Sequence, residues 1–538
     1  MITGKINFWK CCLPVGMWLL VAGACTRNFE ELNTNPNEAT EDMMATDNLK
    51  TGALFSQMER NVILFKDGIN LSSDYQVAQG LTSDLYSGYV APTGTWYGGV
   101  NNSSYFLIPG WTERTFTSGF LSVMTAWNKI NKAATEQNLP EVAALATILK
   151  VEGMHRVADA YGPIPYLSFG NGALQNNYDP LQNVYAKFFE ELDGAIDVLT
   201  KYALGGTSAP PLMAKFDYIY EGNVTKWVKF ANTLRLRLAM RVVYANASLA
   251  KTEAEKSTAN PIGVITAVNE KAVLLRINNL TYIHPLYEIA YSFNAGEARM
   301  SASMDAYMNG YADPRRAAYF TKASDGNYHG VRQGIVTTNW TPYSGPAISN
   351  LNMNNSTSIV WMTAAESYFL RAEGALRNWN MGGTAQQFYN QGIAVSFQEN
   401  SVGADAAAYA ADNTLKPIPF TDNSGQSGNN ITAPSTITIL MNVNDNFETN
   451  LEKIITQKWL ALYPDGPEGW AEFRRTGYPK LLPVVNNNSN GTISTAVQIR
   501  RITYPQSEYN NNKAGVQSGL AALGGPDGGG VKLWWDKK

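Results

Sequence analysis

Apolar residues recur every three or four positions over long stretches of this chain, the spacing of one face of a helix. In NVYAKFFEELDGAIDVLTKY (183–202), Val184, Phe188, Leu192, Ala195, Ile196 and Leu199 share a stripe, with Glu190, Glu191 and Asp197 opposite. NVTKWVKFANTLRLRLAMR (223–241) repeats the pattern with Val224, Trp227, Ala231, Leu234 and Leu238, and Asn223 stands where an N-cap belongs. LEKIITQKWLALY (451–463) does so with Leu451, Ile454, Ile455, Trp459 and Leu462. The same reasoning predicts helices over 48–66, 118–136, 141–160, 363–377 and 384–398, the last two as a helical hairpin. Strand signals are sparse: ITILMNV (437–443) and KAVLLRI (271–277) are the better candidates. The fold class expected is mainly α, with few short strands. No strict 34-residue period appears, so any tetratricopeptide array is degenerate and interrupted.

Between the helices lie long loops. Residues 86–112 read YSGYVAPTGTWYGGVNNSSYFLIPGWT, and 334–358 read GIVTTNWTPYSGPAISNLNMNNSTS; both mix Gly, Ser and Asn with Tyr and Trp. Loops of this length in a compact protein are either functional or disordered, and flexible filler seldom contains tryptophan. Trp96, Tyr97, Tyr105 and Trp111 are therefore candidates for a stacking platform. Asp74, Asn101 and Asn102 are candidate hydrogen-bonding groups, and Trp340 and Tyr343 a candidate opposing wall. A third loop, DNSGQSGNNITAPST (422–436), lacks aromatics. The C-terminal WW pair, Trp534 and Trp535, is expected to dock on the body.

The N-terminus follows a different rule. Lys5 and Lys10 precede the apolar stretch Leu13 to Ala24, which is shorter than the roughly 20 residues that span a bilayer. A charged start, a short apolar middle and the small residues Ala22, Gly23 and Ala24 form a secretory signal, with Cys25 directly after it. The border resembles a bacterial lipobox, with Ala22 where leucine is usual. Residues 1–24 read as a lipoprotein signal peptide, 25–46 as an extended lipidated leader attached through Cys25, and 47–538 as a single globular domain. The acyl chains would hold the protein on a membrane, each buried methylene contributing about 0.8 kcal/mol. Cys11 and Cys12 lie in the signal, so the mature chain keeps no disulfide framework, cysteine metal site or thiol nucleophile.

Composition narrows the partner. The 538 residues carry a net charge of −3, which gives no argument for nucleic acid. Charged residues make up 16%, against a usual figure of about 25%, and Asn, Ser, Thr and Tyr supply the polarity instead. With 13 Trp and 28 Tyr, such a surface suits neutral polar ligands such as sugars, and it also suits protein interfaces.

The spacings of common catalytic sites are absent: no HExxH, P-loop, G-x-S-x-G elbow or G-x-G-x-x-G. His155, His284 and His329 have no metal-ligand spacing on one helix and read as structural. NVNDNFE (442–448) lacks the central glycine of an EF-hand. Glycoside hydrolysis usually needs two facing carboxylates, and Asp74, Asp84, Glu113, Asp159 and Glu366 are the candidates for such a pair. The enzyme alternative is thus a surface-attached all-α glycoside hydrolase; no catalytic residue, cofactor or metal is expected otherwise.

Several long motifs occur in one order along the chain. They are FEELNTNPNEAT after Cys25, RVADAYGPIPYL (156–167), KWVKFANTLRLRLAMR (226–241), MNGYADPRRAAYF (308–320), WMTAAESYFLRAEGAL (361–376) with AVSF (394–397), IITQKWLALYPDGPEGWAEFRRTGYPKL (454–481) and RRITYPQSEYNNN (500–512). Together they resemble the SusD/RagB family of nutrient-binding outer-membrane lipoproteins of the Bacteroidetes. The resemblance implies a SusD-like fold, with tetratricopeptide-like helical hairpins on one side and a loop-rich ligand face. It implies a non-catalytic, cell-surface protein that caps a SusC-like TonB-dependent outer-membrane transporter and delivers an oligosaccharide or other oligomeric nutrient to it. The ligand-binding residues it implies are Asp74, Trp96, Tyr97, Asn101, Tyr105, Trp340 and Tyr343. Several motifs have structural reasons of their own. Gly162 and Pro163 end a helix, Asp313 before Pro314 favours a turn, Arg315 and Arg316 tie loops to helix ends, and Arg474 and Arg475 cross-link buried acceptors.

Overall fold

The apolar stripes become helices that pack in antiparallel neighbours. The computed structural model describes residues 49–94, 96–205 and 211–538, apart from the side chains of Leu49, Lys50, Trp96 and Ala295. The signal, the leader and Cys25 lie outside the described residues.

Helices of nine residues or more are α1 (Leu49–Val62), α2 (Thr125–Glu136), α3 (Pro140–Tyr161), α4 (Leu181–Leu204), α5 (Val224–Arg241), α6 (Ala247–Ala259), α7 (Ala302–Gly310), α8 (Ala364–Leu376), α9 (Ala385–Glu399), α10 (Phe447–Leu462), α11 (Gly466–Thr476) and α12 (Lys513–Leu523). The starts follow from capping. Asn223 accepts the Lys226 N–H at 3.0 Å to open α5, and Thr363 accepts the Glu366 N–H at 3.1 Å to open α8. At the other end of α3, Gly162 adopts φ +92° and the chain leaves the helix before Pro163.

Successive helices lie against one another: α2 on α3, α3 on α4, α4 on α5, α5 on α6 and α8 on α9, with α10 against α8. The stripe on α4 is buried at Val184, Phe188, Leu192, Ala195, Ile196 and Leu199, while Glu190 and Asp197 face water. One continuous apolar core reaches from Phe55 in α1 to Trp535 near the C-terminus, within a unit spanning Thr51–Lys538. Both terminal tryptophans are engaged: Trp534 packs 6.2 Å from Tyr185, and Trp535 is covered by Arg241 and Arg474.

Strands are few. β1 (Val90–Pro92) pairs antiparallel with β3 (Ala298–Met300) in the register Val90–Met300, Ala91–Arg299, Pro92–Ala298. β2 (Ala272–Val273) pairs with β4 (Val360–Met362). Only two residues of the expected 271–277 strand are therefore ladder-paired, and 437–443 is not a strand. The backbone of that segment is satisfied by other elements: the Tyr389 hydroxyl donates to Ile439 O at 2.6 Å, Lys453 Nζ to Leu440 O at 2.7 Å, and Gln386 Nε2 to Met441 O at 3.1 Å. Ile439 and Met441 still point into the core. Ile437 is only half-buried and Val443 is exposed, so helix side chains, not a partner strand, hold this segment against the core.

Where α3, α5, α8, α10 and α11 meet, the core contains a lattice of ion pairs. Arg237 grips Glu366 with Nε and Nη2, each at 2.7 Å. Arg475 holds Glu373 at 2.7 and 2.6 Å and Glu472 at 2.6 Å. Arg156 holds Asp465 at 3.0 and 3.1 Å. Arg241 bonds Glu468 and reaches Asp159 at 3.2 Å, and Lys458 stands 3.4 Å from Glu468. All are buried. At two carboxylates of the lattice the neighbouring cations outweigh desolvation: Glu152, beside Arg156 and His155, is lowered to about 2, as is Glu373 beside Arg475 and Arg377.

Candidate ligand-binding face

The first aromatic loop is shaped by its backbone. After β1, the chain passes through Tyr97 (φ +48°), Gly98 (φ +64°) and Gly99 (φ +84°), a run of left-handed residues that glycine makes accessible. Asn101 then closes a short turn: its Oδ1 accepts the Ser103 N–H at 2.9 Å and the Ser103 hydroxyl at 2.8 Å. Asn102 ties the turn to the body, donating to Leu81 O at 3.0 Å and accepting from Ile108 N at 2.9 Å. Ser104 Oγ returns to Gly99 O at 2.8 Å. These short bonds turn Tyr97 outward and Tyr105 inward.

Tyr97 is 69% exposed, and its ring meets the half-buried Trp111 edge-to-face at 5.6 Å and 74°. Phe106, Pro109 and Gly110 are exposed beside them in sequence. Asp74 is tied to the same loop: its Oδ1 lies 3.2 Å from Arg114 Nη2, three residues beyond Trp111, and its Oδ2 accepts the Leu71 N–H at 2.7 Å. The five-residue π-turn at Gln76–Gly80, which follows Asp74, touches Pro109–Trp111.

The other candidates point elsewhere. Asn101 and Tyr105 are 2% and 3% exposed. Tyr105 packs 6.4 Å from Tyr86, its hydroxyl 3.4 Å from Gln498 Oε1, and burial pushes that hydroxyl well above the usual phenol range. Trp340 and Tyr343 form a second, small apolar cluster with Ala91, Val331, Ile335 and Ile348. The Tyr343 hydroxyl donates to Asp422 Oδ2 at 3.0 Å and meets Asn429 Nδ2 at 3.1 Å. A wall of open stacking surface is thus not what Trp340 and Tyr343 present. An irregular loop has no in-out period, and here both rings turned inward to give the second loop a core of its own. The side chain of Trp96 lies outside the described residues.

The two loops abut. A methyl group placed on Gly99 would lie 3.2 Å from Ile335 O and 3.3 Å from Val336 Cα. Val336 is exposed at that seam. What the arrangement offers is an edge-paired Tyr–Trp on the rim, flanked by the Asp74–Arg114 pair and backed by inward amides. Such a rim can stack against the apolar face of a sugar ring while the polar pair meets its hydroxyls.

The five candidate carboxylates for glycoside hydrolysis are differently employed. Asp159 and Glu366 belong to the buried lattice. Asp84 is buried, accepts from the Tyr75 hydroxyl at 2.8 Å and Gln79 Nε2 at 3.0 Å, and is raised to about 7 by burial. Asp74 holds Arg114, and Glu113 bonds the Ser507 hydroxyl. Of the histidines, His284 caps the Pro285–Tyr291 helix by accepting the Leu286 N–H at 3.2 Å, and burial lowers it to about 4. Arg114 and Phe106 were not singled out in the sequence; an arginine in a loop carries no local mark of the acid it will meet.

No helix among the described residues is long and apolar enough to cross a membrane. A search of curated proteins gives no match. A family model described as Susd and RagB outer membrane lipoprotein matches residues 31–536. Among solved structures, a chitin-binding SusD homolog from Flavobacterium johnsoniae is 40% identical, with 91% of this chain and 99% of that one covered and a TM-score of 0.85. A SusD homolog from Bacteroides vulgatus is 35% identical, covering 91% and 98% at a TM-score of 0.85. One from Bacteroides uniformis is 35% identical, covering 91% and 99% at 0.82. Matched over nearly its whole length by the family model, and sharing a fold and 35–40% of its residues with these homologues, the chain belongs to the SusD-like family of outer membrane lipoproteins.

Proposed function

We propose that this protein captures an oligosaccharide at the cell surface and delivers it to a SusC-like TonB-dependent outer-membrane transporter that it caps, held in the outer membrane by a lipid on Cys25. The observation that carries the reading is the Tyr97–Trp111 pair, an exposed aromatic edge built by a loop whose polar side chains face inward. Membership of the family and the likeness to a chitin-binding homologue support a glycan as the cargo. Among the predicted ligand-binding residues, Tyr97 and Asp74 stand where a ligand can reach them. Asn101, Tyr105, Trp340 and Tyr343 act by holding the two loops. The helical hairpins of α3–α4, α5–α6 and α8–α9 are the side that would meet the barrel. The protein acts by binding, without turnover of its ligand.

Isothermal titration against a panel of neutral oligosaccharides, chitohexaose included, tests this. One glycan class should bind saturably and be recovered intact after prolonged incubation. In Tyr97→Ala the affinity should fall by about 2 kcal/mol, roughly 30-fold, as for an aromatic hot spot. The melting temperature should not move, because the ring is exposed. Release of shorter products would replace the binding reading by the hydrolase; binding untouched by Tyr97→Ala would move the site elsewhere.

A further inference from the structure

A second cleft, of about 900 Å³, adjoins the 334–348 loop and is not used by the rim at Tyr97. Its walls come from the end of α7, the Asp313–Arg316 turn, the 322–329 loop and residues 418–425. It shares the second aromatic loop as a boundary: Asn423 Nδ2 donates to Ala347 O at 2.9 Å, and Ser324 N to Pro346 O at 2.8 Å.

Its charges are unequally available. Asp313 is buried, gripped by Arg315 at 3.0 and 2.6 Å and by the Tyr409 hydroxyl at 2.6 Å. Asp422 accepts from Tyr343, Ser424 and Asn429. Asp305 accepts the Gly330 N–H and Asn309 Nδ2, both at 2.7 Å; burial raises its carboxyl in spite of His329 and Arg316 nearby. Asp325, on the loop at the rim, pairs with His329 at 2.8 Å. The cations are the reverse. Lys322 is exposed and Arg316 half-buried, and among the described residues no carboxylate lies within ion-pair distance of either. Arg316 is nonetheless held: its Nη1 donates to Asn309 Oδ1 at 2.8 Å and its guanidinium lies 4.7 Å over the Tyr328 ring. Stacking and one hydrogen bond orient the planar fork and leave donors over for an anion with two oxygens. In a chain of net charge −3, an oriented guanidinium whose acidic neighbour Asp305 is turned to Gly330 and Asn309, with a second cation that no carboxylate of the described residues pairs, forms a site for negative charge at the edge of a cleft of this size.

We propose that this cleft binds an anionic group carried by an oligosaccharide, a uronate carboxylate or a sulfate ester, through Arg316 and Lys322. The inference rests on the oligosaccharide reading above and adds an acidic subsite to it, apart from the Tyr97 rim.

The test is titration of the full chain in detergent with three probes: maltohexaose, sulfated maltohexaose and hexagalacturonate. At least one acidic probe should bind, more weakly as salt is raised, and about tenfold more weakly in Lys322→Gln, where one charge-assisted contact is lost. Arg316→Gln should lose more and Arg316→Lys less, because lysine keeps the charge and loses the fork. Lys322 is exposed and leaves folding intact, so a failure to fold of the Arg316 variants does not blunt the test. Sulfated maltohexaose bound alone assigns sulfate, hexagalacturonate alone assigns uronate. Neither bound, or either bound equally by the Lys322→Gln and Arg316→Lys variants, overturns the proposal. Tyr97→Ala in parallel separates the two readings: loss of the rim's neutral ligand with acidic binding intact leaves the cleft independent, and the converse confines the failure to the cleft.

Discussion

The charge lattice between α3, α5, α8, α10 and α11 and the rim around Tyr97 are both dense in polar side chains, but they use them in opposite ways. In the lattice, the bonds that cross between helices join residues remote in sequence: Arg237 meets Glu366 129 residues on, and Arg156 meets Asp465 309 residues on. At the rim, Asn101 bonds Ser103 and Ser104 bonds Gly99, two and five residues away. One region locks helices together through charges withdrawn from water; the other folds a loop on itself and leaves a ring exposed. Damage to the lattice should therefore register as lost stability, and damage to the rim as lost binding at nearly constant stability.

The largest effect is expected at Arg237. Both its partner oxygens on Glu366 are engaged and neither side chain reaches water. Arg237→Met leaves Glu366 buried with only Lys458, 4.0 Å away, in place of two short guanidinium bonds, and should cost about 3–5 kcal/mol, the range for breaking a buried pair from one side. The paired replacement Arg237→Met with Glu366→Leu should recover much of that, because no lone charge remains. Urea denaturation of the three proteins measures both. A single-variant loss below about 1 kcal/mol, typical of exposed pairs, would erase the distinction drawn between the two regions.

His155 sharpens the same distinction through pH. Burial disfavours its charge, but Glu152 at 3.3 Å and Asp159 at 3.5 Å outweigh burial and raise it above its ordinary value. Arg156 on α3 and Arg237 on α5 face Glu152, and Arg241 on α5 faces Asp159. A raised value means that the folded protein holds this proton more tightly than the unfolded chain does. Its contribution is complete below the unfolded pKa of about 6.5 and fades as pH rises through the folded value. His155→Gln should thus cost about 1.5–3 kcal/mol at pH 5.5, the scale of hydrogen bonds to charged groups, and less at pH 9. Thermal melts of both proteins across that interval measure the difference. An equal loss at both ends would make the imidazole a packing group.

The sequence revealed these regions unequally, for reasons that the residues themselves show. The helices were legible because stripes such as Val184 to Leu199 and caps such as Asn223 are local signals. Arg237, Arg241 and Glu366 stood in motifs that could be quoted, but their pairings could not be read, since partners 129 or 227 residues away leave no spacing. The 437–443 segment shows the converse: its apolar residues signalled a strand, but Ile439 and Met441 are buried without a partner strand and Val443 is exposed. At the rim, tryptophan and tyrosine in a Gly- and Asn-rich loop marked the region, and Tyr97 with Trp111 emerged there. Which rings face out did not follow, because a loop with left-handed residues at 97, 98, 99 and 105 has no periodicity to carry direction. Arg316 stood in the Asp-Pro-Arg turn, where it reads as a tie between a loop and a helix end and not as a contact for a ligand; Arg114 and Lys322 gave no sign at all.

A smaller stability effect than at Arg237 or His155, with a clear consequence for binding, belongs to Gly99. Its φ of +84° disfavours any side chain, and a Cβ there would approach Ile335 O and Val336 Cα at 3.2 and 3.3 Å. Gly99→Ala should cost about 1–2 kcal/mol, the penalty of a left-handed residue with a Cβ, well below Arg237→Met. The loop can meet that strain only by moving away from the 334–336 segment, and Tyr97 sits two residues upstream. Ligand affinity should therefore fall several-fold although no contacting side chain has changed. Titration and melting of one Gly99→Ala preparation decide the matter. Binding reduced with the core intact means that the rim is positioned by backbone geometry. Unchanged affinity would mean that the seam between the two loops is slack, and that Tyr97 is placed by the Asn101 turn alone.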